Sequence, residues 1–320
     1  TARLRASAGA VLLLAMPWAW GQRVLDAAPR GSGVRVALVQ GNIAGEIKWS
    51  GHHQAEILRS FIALSESAAS ARPAVIIWPE TATGSYLRKQ LDQAVAVAEC
   101  AHRTGIPIFA GFAEYDYSPA GQIRNYNAAG LFAADGSTGA IYAKRHLVPF
   151  GERMPFEHWI PALARVDFGQ AEWTAGERVV LFPSAAGAFG CLICFESIFP
   201  DLSRETVRAG ARWLVNITND EWFGNGAAIS QHAAMAVFRA VENHVPLARC
   251  ANTGRTLLID ANGRVSASLP TFRAGVLVGQ LSPPGPVTPF TRLGNWPGLL
   301  CGVFAAALAL RALTGRAPAD

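Results

Sequence analysis

An α/β layered domain with mixed sheets is the fold class this chain predicts, on three observations. Short apolar runs of strand length alternate with longer stretches whose apolar residues fall at helical spacing. The runs are continuous rather than alternating with polar residues, which marks strands buried on both faces. Hairpin signals interrupt the alternation, so some neighbouring strands are antiparallel.

Taken in chain order, the elements begin with an uncharged run over residues 6–20 (ASAGAVLLLAMPWAW), preceded by Arg3 and Arg5. Its counterpart at the other end, residues 295–310 (NWPGLLCGVFAAALAL), is followed by Arg311 and Arg316. Each is short for a membrane span of roughly 17–25 residues. We read both as anchors or parts of transmembrane helices, with a signal peptide and a buried core helix as rivals; no small-x-small cleavage site follows the first run. Arginines on the outer flanks place both ends in the cytoplasm and the middle across the membrane, which in a bacterium is the periplasm. A chain that is 51% hydrophobic and only 16% charged agrees with part of it meeting lipid.

Between the ends, residues 35–40 (RVALVQ), 74–79 (AVIIWP), 106–112 (IPIFAGF), 190–195 (GCLICF) and 212–218 (RWLVNIT) read as strands. Residues 52–71, 88–104, 200–209 and 228–244 read as helices, the third opening on Pro200 and acidic Asp201. Asp135-Gly136 and Asn262-Gly263 each sit between two apolar runs as hairpin turns. Residues 281–290 (LSPPGPVTPF) read as a linker. No G-x-G-x-x-G follows the first strand, which removes the fingerprint of a dinucleotide-binding fold.

A net charge of +5 is spread without a Lys/Arg block or an aromatic-basic interleave, so nothing points to nucleic acid. The cysteines, Cys100, Cys191, Cys194, Cys250 and Cys301, are odd in number and irregularly spaced, which argues against a disulfide framework. Cys191 and Cys194 form a C-x-x-C inside an apolar run, with no second pair or H-x-x-x-H to complete a zinc site. The sequence therefore implies neither metal nor cofactor.

Three reactive residues stand where strands end: Glu80 after VIIWP, Lys144 after GAIYA, and Cys194 closing GCLIC. Ligands gather at strand ends in α/β sheets, so the three form a candidate site. A thiol becomes a nucleophile only once its proton leaves, and Glu80 is placed to take it. Lys144, with backbone N–H groups after Cys194, would stabilise the oxyanion formed at a carbonyl. Each has a bland rival: a cap or turn carboxylate, a solvated loop charge, a packed core cysteine. None of the seven histidines stands at an evident strand end.

The segments IIWPET (76–81), YAKRHLVPFGE (142–152), CLICFES (191–197) and NITNDEWFG (216–224) resemble, in that order, the carbon-nitrogen hydrolase or nitrilase superfamily. VQGNIAGEIKW (39–49), KRHLVPFGE and NDEWFG are similar to its membrane-bound branch, the apolipoprotein N-acyltransferases. The resemblance implies a nitrilase-like αββα sandwich flanked by membrane helices. It divides the chain into 1–33, a partial transmembrane helix and connector; 34–280, the catalytic domain; and 281–320, a linker and C-terminal transmembrane helix.

On the matching positions it implies Glu80 as general base, Lys144 as oxyanion stabiliser and Cys194 as nucleophile. Glu152 would orient the lysine or assist proton transfer, Glu196 is a further carboxylate, and Trp49, Phe195 and Trp222 would border an acyl pocket. The implied partners are a membrane, a phospholipid acyl donor and a diacylated apolipoprotein acceptor, at the bacterial inner membrane with the catalytic domain facing the periplasm. Members of that branch carry several transmembrane helices before the catalytic domain, so this chain reads as a fragment beginning at the last of them. Two other functions stay open at this stage: a membrane-tethered amidase or nitrilase using water as acceptor, and an inactive membrane-anchored binding domain with Cys194 in its core. For Trp49, Trp222 and Phe223 a core or interface-belt position competes with the pocket, and for Asn219 and Asp220 a simple turn competes with a catalytic place. Arg145 and His146 read as solvated.

Overall fold

The structure is a computed structural model, and it describes residues 2–26, 33–155, 159 and 172–314. Two six-stranded sheets lie face to face. The first runs in the order β12 (Gly275–Leu281), β1 (Val34–Gln40), β2 (Val75–Ile77), β3 (Ile108–Tyr117), β4 (Ile123–Phe132), β5 (Thr138–Ala143). The second runs β11 (Val265–Ser268), β10 (Leu257–Ile259), β9 (Leu247–Ala251), β8 (Trp213–Thr218), β7 (Phe189–Ile193), β6 (Leu181–Phe182). Both are mixed: β1-β2-β3 and β7-β8-β9 are parallel, and the flanking pairs are antiparallel. Both expected hairpins form, β4–β5 through Gly136 and β10–β11 through Gly263, each glycine at positive φ.

Helices cover the outer faces. On the first sheet lie α3 (Gln54–Ala68) and α4 (Leu91–Thr104), contributing Ile57, Leu58, Phe61, Val97 and Ala101 to a buried layer against Ala37, Ile76 and Ile108. On the second lie α5 (Pro200–Arg208), with Pro200 in its first turn as expected, and α6 (Ala227–Asn243), whose Ala233, Ala236 and Ala240 meet Leu214 and Leu247. The result is the four-layered αββα sandwich. Between the sheets Phe109, Phe182, Phe189 and Trp213 stack at centroid distances of 4.4–5.3 Å. Aromatic pairs of this kind contribute about 0.5–1.5 kcal/mol each beyond the area they bury.

Strands β1, β2, β7 and β8 follow the expected runs and are buried almost throughout. The run at 190–195 ends earlier than expected, because Cys194 leaves the strand with φ +52° and opens a short 3-10 helix over Cys194–Ile198. The proline-rich stretch after β12 is fastened to the sandwich. Ser282 Oγ accepts from the Ala261 N–H, Gly285 N–H donates to His244 O, and Thr291 Oγ1 donates to Asn243. Arg204 on α5 donates to the carbonyls of Phe290, Thr291 and Arg292, all in α7 (Pro289–Leu293).

Helices also form in both terminal apolar runs, α1 (Ala2–Asp26) and α8 (Trp296–Thr314). Among the described residues no helix is long and apolar enough to cross a membrane. The apolar runs are shorter than the helices that carry them; α1 contains Pro17 and ends on Arg23 and Asp26. Leu12, Leu13, Leu14 and Trp18 of α1, and Leu299, Leu300, Val303 and Phe304 of α8, are nevertheless exposed. The remaining small helix, α2 (Gly45–Lys48), precedes Trp49.

Gly111 of β3 lies against the end of β2 and against Ile217 of the other sheet, with no room for a side chain. A Cβ there would lie 2.6 Å from Pro79 O, 2.7 Å from Ile217 Cδ1 and 2.8 Å from Glu80 Cα. Overpacking of this kind typically costs about 1–3 kcal/mol. Gly111→Ala is therefore expected to lower the unfolding free energy by an amount in that range, read as a lower denaturant midpoint, and an unchanged midpoint would show that the neighbouring atoms give way freely.

Candidate active site

Glu80 stands three residues past the end of β2, where its strand has delivered it to the seam between the sheets. One oxygen, Oε1, accepts from Asn127 Nδ2 of β4 at 2.7 Å; the other, Oε2, accepts from the Asn219 N–H after β8 at 2.7 Å. Both sheets thus fix a single carboxylate. Lys144, the residue after β5, is wholly buried, and its Nζ lies 3.7 Å from Glu80 Oε1 and 2.8 Å from Glu152 Oε1. Glu152 is oriented from its far side by the Val148 N–H, at 2.8 Å. Burial alone would favour the neutral amine of Lys144, but Glu80, Cys194 and Glu152 outweigh it and hold the pKa above its usual value. Lys144 is therefore an ammonium throughout the neutral range and cannot serve as the base.

Cys194 is half-buried at the end of β7. Burial first, then the charge of Glu80, raises its thiol to about 12 against the pull of Lys144 and of a hydrogen bond with Thr218. The two charges expected to flank it thus both act on it, in opposite directions. The resting group is a thiol, and its proton has to leave as the sulfur attacks. Cys191 is fully buried in the layer between the sheets, with burial pushing its thiol well above the usual range. The two sulfurs differ in setting: Cys191 lies within the strand and Cys194 just past its end.

Glu196 is placed differently from a reacting carboxylate. It is fully buried and accepts from the Ile193 N–H (2.7 Å), the Arg145 N–H (2.6 Å), the His146 N–H (3.1 Å) and Tyr142 OH (2.8 Å). It therefore ties the cysteine turn to the loop that carries Lys144. Arg145, expected in solvent, is half-buried and pairs with Glu205 at 2.9 Å; His146 is exposed, as expected, with its ring 4.6 Å from that of Phe199. Phe195 packs edge-on against Phe199 at 5.3 Å. Trp49 and Trp222 are both exposed, on loops pinned together where Glu221 Oε1 accepts from the Gly45 N–H at 2.7 Å. Phe223 beside them is also exposed.

Several residues of this neighbourhood carry no local signal in the sequence. Asn127 bridges Glu80 and Glu152, its Nδ2 lying 3.3 Å from Glu152 Oε1. Asp220, with its turn competing reading, proves to be buried in an ion cluster with His232 and Arg249. A polar residue on an otherwise alanine-rich helical face was the one available hint of His232. Lys48 is wholly buried, and among the described residues its Nζ has no hydrogen-bond partner. Burial lowers its pKa to about 8 against the attraction of Glu80 and Glu221.

The carbon-nitrogen hydrolase family model matches residues 35–285. The chain belongs to the carbon-nitrogen hydrolase family. Among curated relatives, the apolipoprotein N-acyltransferase of Geobacter metallireducens is 36% identical over 305 residues, covering 94% of this chain and 58% of its own length. That of Chlorobaculum tepidum is 35% identical over 300 residues, covering 87% of this chain and 56% of its own. The chain thus spans less than three-fifths of the length of these relatives. Among solved structures, a carbon-nitrogen hydrolase from Helicobacter pylori superposes with a TM-score of 0.60 at 15% identity, over 78% of this chain and 89% of that one. An amidase from Nesterenkonia sp. does so with a TM-score of 0.57 at 20% identity, over 79% and 92%. These two likenesses bear on the fold.

Two expected outcomes follow from the charges. Glu80→Gln removes a negative charge that raises the Cys194 thiol, so the midpoint of its pH profile of alkylation by iodoacetamide is expected to fall; Lys144→Met is expected to raise it. The opposite order would refute the electrostatic account. For Lys48 the folded pKa of about 8 lies below the ordinary 10.5, so the folded state resists protonation that the unfolded chain accepts. Stability therefore rises with pH between these values. Lys48→Met is expected to be more stable than the parent at pH 7 by about 3 kcal/mol, with the difference shrinking as pH rises from about 8 towards 10.5, as followed by denaturant unfolding.

Proposed function

We propose that the protein transfers an acyl chain from a phospholipid, through a thioester on Cys194, to the N-terminal amine of a diacylglyceryl-cysteine apolipoprotein. The observation that carries this reading is the Glu80–Lys144 pair, 3.7 Å apart and both acting on the Cys194 thiol, in a chain 36% identical to an apolipoprotein N-acyltransferase. The exposed apolar residues of α1 and α8 and the exposed Trp49, Trp222 and Phe223 support a lipid donor over a small soluble amide. They also support a protein held at the bacterial inner membrane, with residues 34–280 as its catalytic domain on the periplasmic side.

In the first half-reaction the thiol proton passes to Glu80 as Cys194 Sγ attacks the ester carbonyl, since a standing thiolate is disfavoured. The oxyanion that forms is stabilised by the Lys144 ammonium, which Glu152 holds in place at 2.8 Å. As the C–O bond breaks, Glu80 returns the proton to the leaving lysophospholipid alkoxide, and a thioester remains. In the second half-reaction the acceptor's neutral amine attacks the thioester, again through an oxyanion beside Lys144. Its proton goes to Glu80 and then to the departing Cys194 sulfur. Trp49, Phe195 and Trp222 border the acyl chain in this reading, and water is kept from the thioester by that apolar surround.

The full chain in detergent, incubated with phosphatidylethanolamine, is expected to gain the mass of one acyl group on Cys194. Hydroxylamine should remove it, and a diacylated lipopeptide with a free amine should discharge it. Cys194→Ala should abolish the adduct, and Glu80→Gln and Lys144→Met should each slow its formation by about 10²-fold or more. Turnover of small amides without any adduct from phospholipid would replace this reading with a membrane-tethered amidase.

A further inference from the structure

Past the ends of β1, β8 and β9, three loops meet at one buried side chain. Asn252, the residue after β9, is wholly buried. Its main chain already joins the two sheets: its N–H donates to Thr218 O of β8 at 3.0 Å, and its carbonyl accepts from the Asn42 N–H, beyond the end of β1, at 2.9 Å. The side chain adds three bonds. Oδ1 accepts from the Ile43 N–H at 3.1 Å, while Nδ2 donates to Ile43 O at 2.7 Å and to Asn219 Oδ1 at 3.1 Å.

Its partners fix the orientation of this amide. A main-chain N–H only donates and a carbonyl oxygen only accepts, so turning the Asn252 amide over would set like against like at both bonds with Ile43. Nδ2 therefore faces Asn219 as a donor, and the Asn219 amide meets it with its oxygen. Asn219 stands where a side chain ordinarily caps a helix start, here the short 3-10 helix over Asp220–Phe223, yet it makes no such cap. Its side-chain oxygen is taken by Asn252, and its main-chain N–H is turned to Glu80 Oε2 at 2.7 Å. A second tie runs alongside, where Glu221 Oε1 of that 3-10 helix accepts from the Gly45 N–H at 2.7 Å. The loop that leads to Trp49 and the turn that carries Trp222 are thus joined to each other and to the base.

Resting on the reading of Glu80 as general base and of Trp49 and Trp222 as borders of the acyl chain, we propose that Asn252 is a positioning residue for acyl transfer. Through Asn219 it holds the N–H that seats Glu80, and through Ile43 it holds the loop that presents Trp49, so one side chain sets the base and the acyl-binding loops together. Without the Asn252 amide, the Ile43 N–H and carbonyl and Asn219 Oδ1 are left unpaired in a buried place, which the loops have to relieve by shifting. The Asn219 N–H shifts with them. Asn127 still holds Glu80 Oε1, so the base is loosened rather than released. A displacement of about 1 Å at a reacting group can cost about 10²-fold in rate.

The test uses the full chain in detergent. Asn252→Ala is expected to slow formation of the acyl adduct from phosphatidylethanolamine by about 10- to 10²-fold, and to raise the phospholipid concentration that gives half the maximal rate. A readout that needs no lipid separates positioning from a loss of stability. Glu80 raises the Cys194 thiol, and a carboxylate free to turn away acts on it less. Asn252→Ala should therefore lower the midpoint of Cys194 alkylation by iodoacetamide part of the way towards that of Glu80→Gln. In a Glu80→Gln background the same substitution should leave the midpoint where it is, since no charge remains to be moved. A midpoint unmoved by Asn252→Ala, or moved equally with and without the Glu80 charge, overturns the proposal, whatever the variant does to stability. If Asn252→Ala fails to fold, Asn219→Ala is read in the same way: it keeps the pairing of Asn252 with Ile43 and the main-chain N–H at 219, and removes only the tie between the two side chains. A parent that forms no adduct with phospholipid, while its alkylation keeps this joint dependence on Asn252 and Glu80, sinks the acyl-transfer reading and leaves the positioning of Glu80 standing.

Discussion

Face-to-face packing of two mixed sheets is the constraint on which the rest depends. Phe109 from one sheet and Phe182, Phe189 and Trp213 from the other lock the inner faces together. Once they are locked, the ends of β2, β7 and β8, with the residue after β5, open onto one seam. The chain separations are large, 114 residues between Glu80 and Cys194 by their numbers, so no local structure could bring them together. Ordinary apolar burial therefore supplies the work of assembling polar groups that would not assemble by themselves.

Having gathered these charges, the fold has to satisfy them. Glu80 receives one amide from each sheet, Glu152 takes the lysine and a loop N–H, and Glu196 collects four donors from the turn and loop around it. These bonds divide the acids by task. Glu196 spends its lone pairs on main-chain amides and so braces the site, whereas Glu80 retains a position beside both the ammonium and the sulfur. Lys48 departs from this pattern: it is buried beside Glu80 and Glu221 with no partner for its Nζ among the described residues, and its lowered pKa reflects that.

Strand ends are what the sequence makes legible, because a continuous apolar run and the polar residue that stops it lie within a few positions of one another. That is why Glu80, Lys144 and Cys194 stand out, and why β1, β2, β7 and β8 and the two hairpins fall where expected. Strands β9 and β12 carry weaker marks: LARCA holds a buried arginine, and GVLVGQL is partly exposed and pairs with β1 from the far end of the chain. Residues that act across space are not legible in this way. Asn127 reaches Glu80 over 47 positions and His232 reaches Cys194 over 38. Nothing beside Glu196 announces that its carboxylate turns inward to backbone amides, since that follows from the path of a loop fifty positions earlier.

Arg204 gives the terminal helix a mechanical bearing on the thiol. Its guanidinium clamps the carbonyls at 290–292, just ahead of α8, to the helix that begins six residues after Cys194. The exposed apolar flank of α8 and the turn that carries the sulfur thus hang from one helix, so a push on either is felt first at α5.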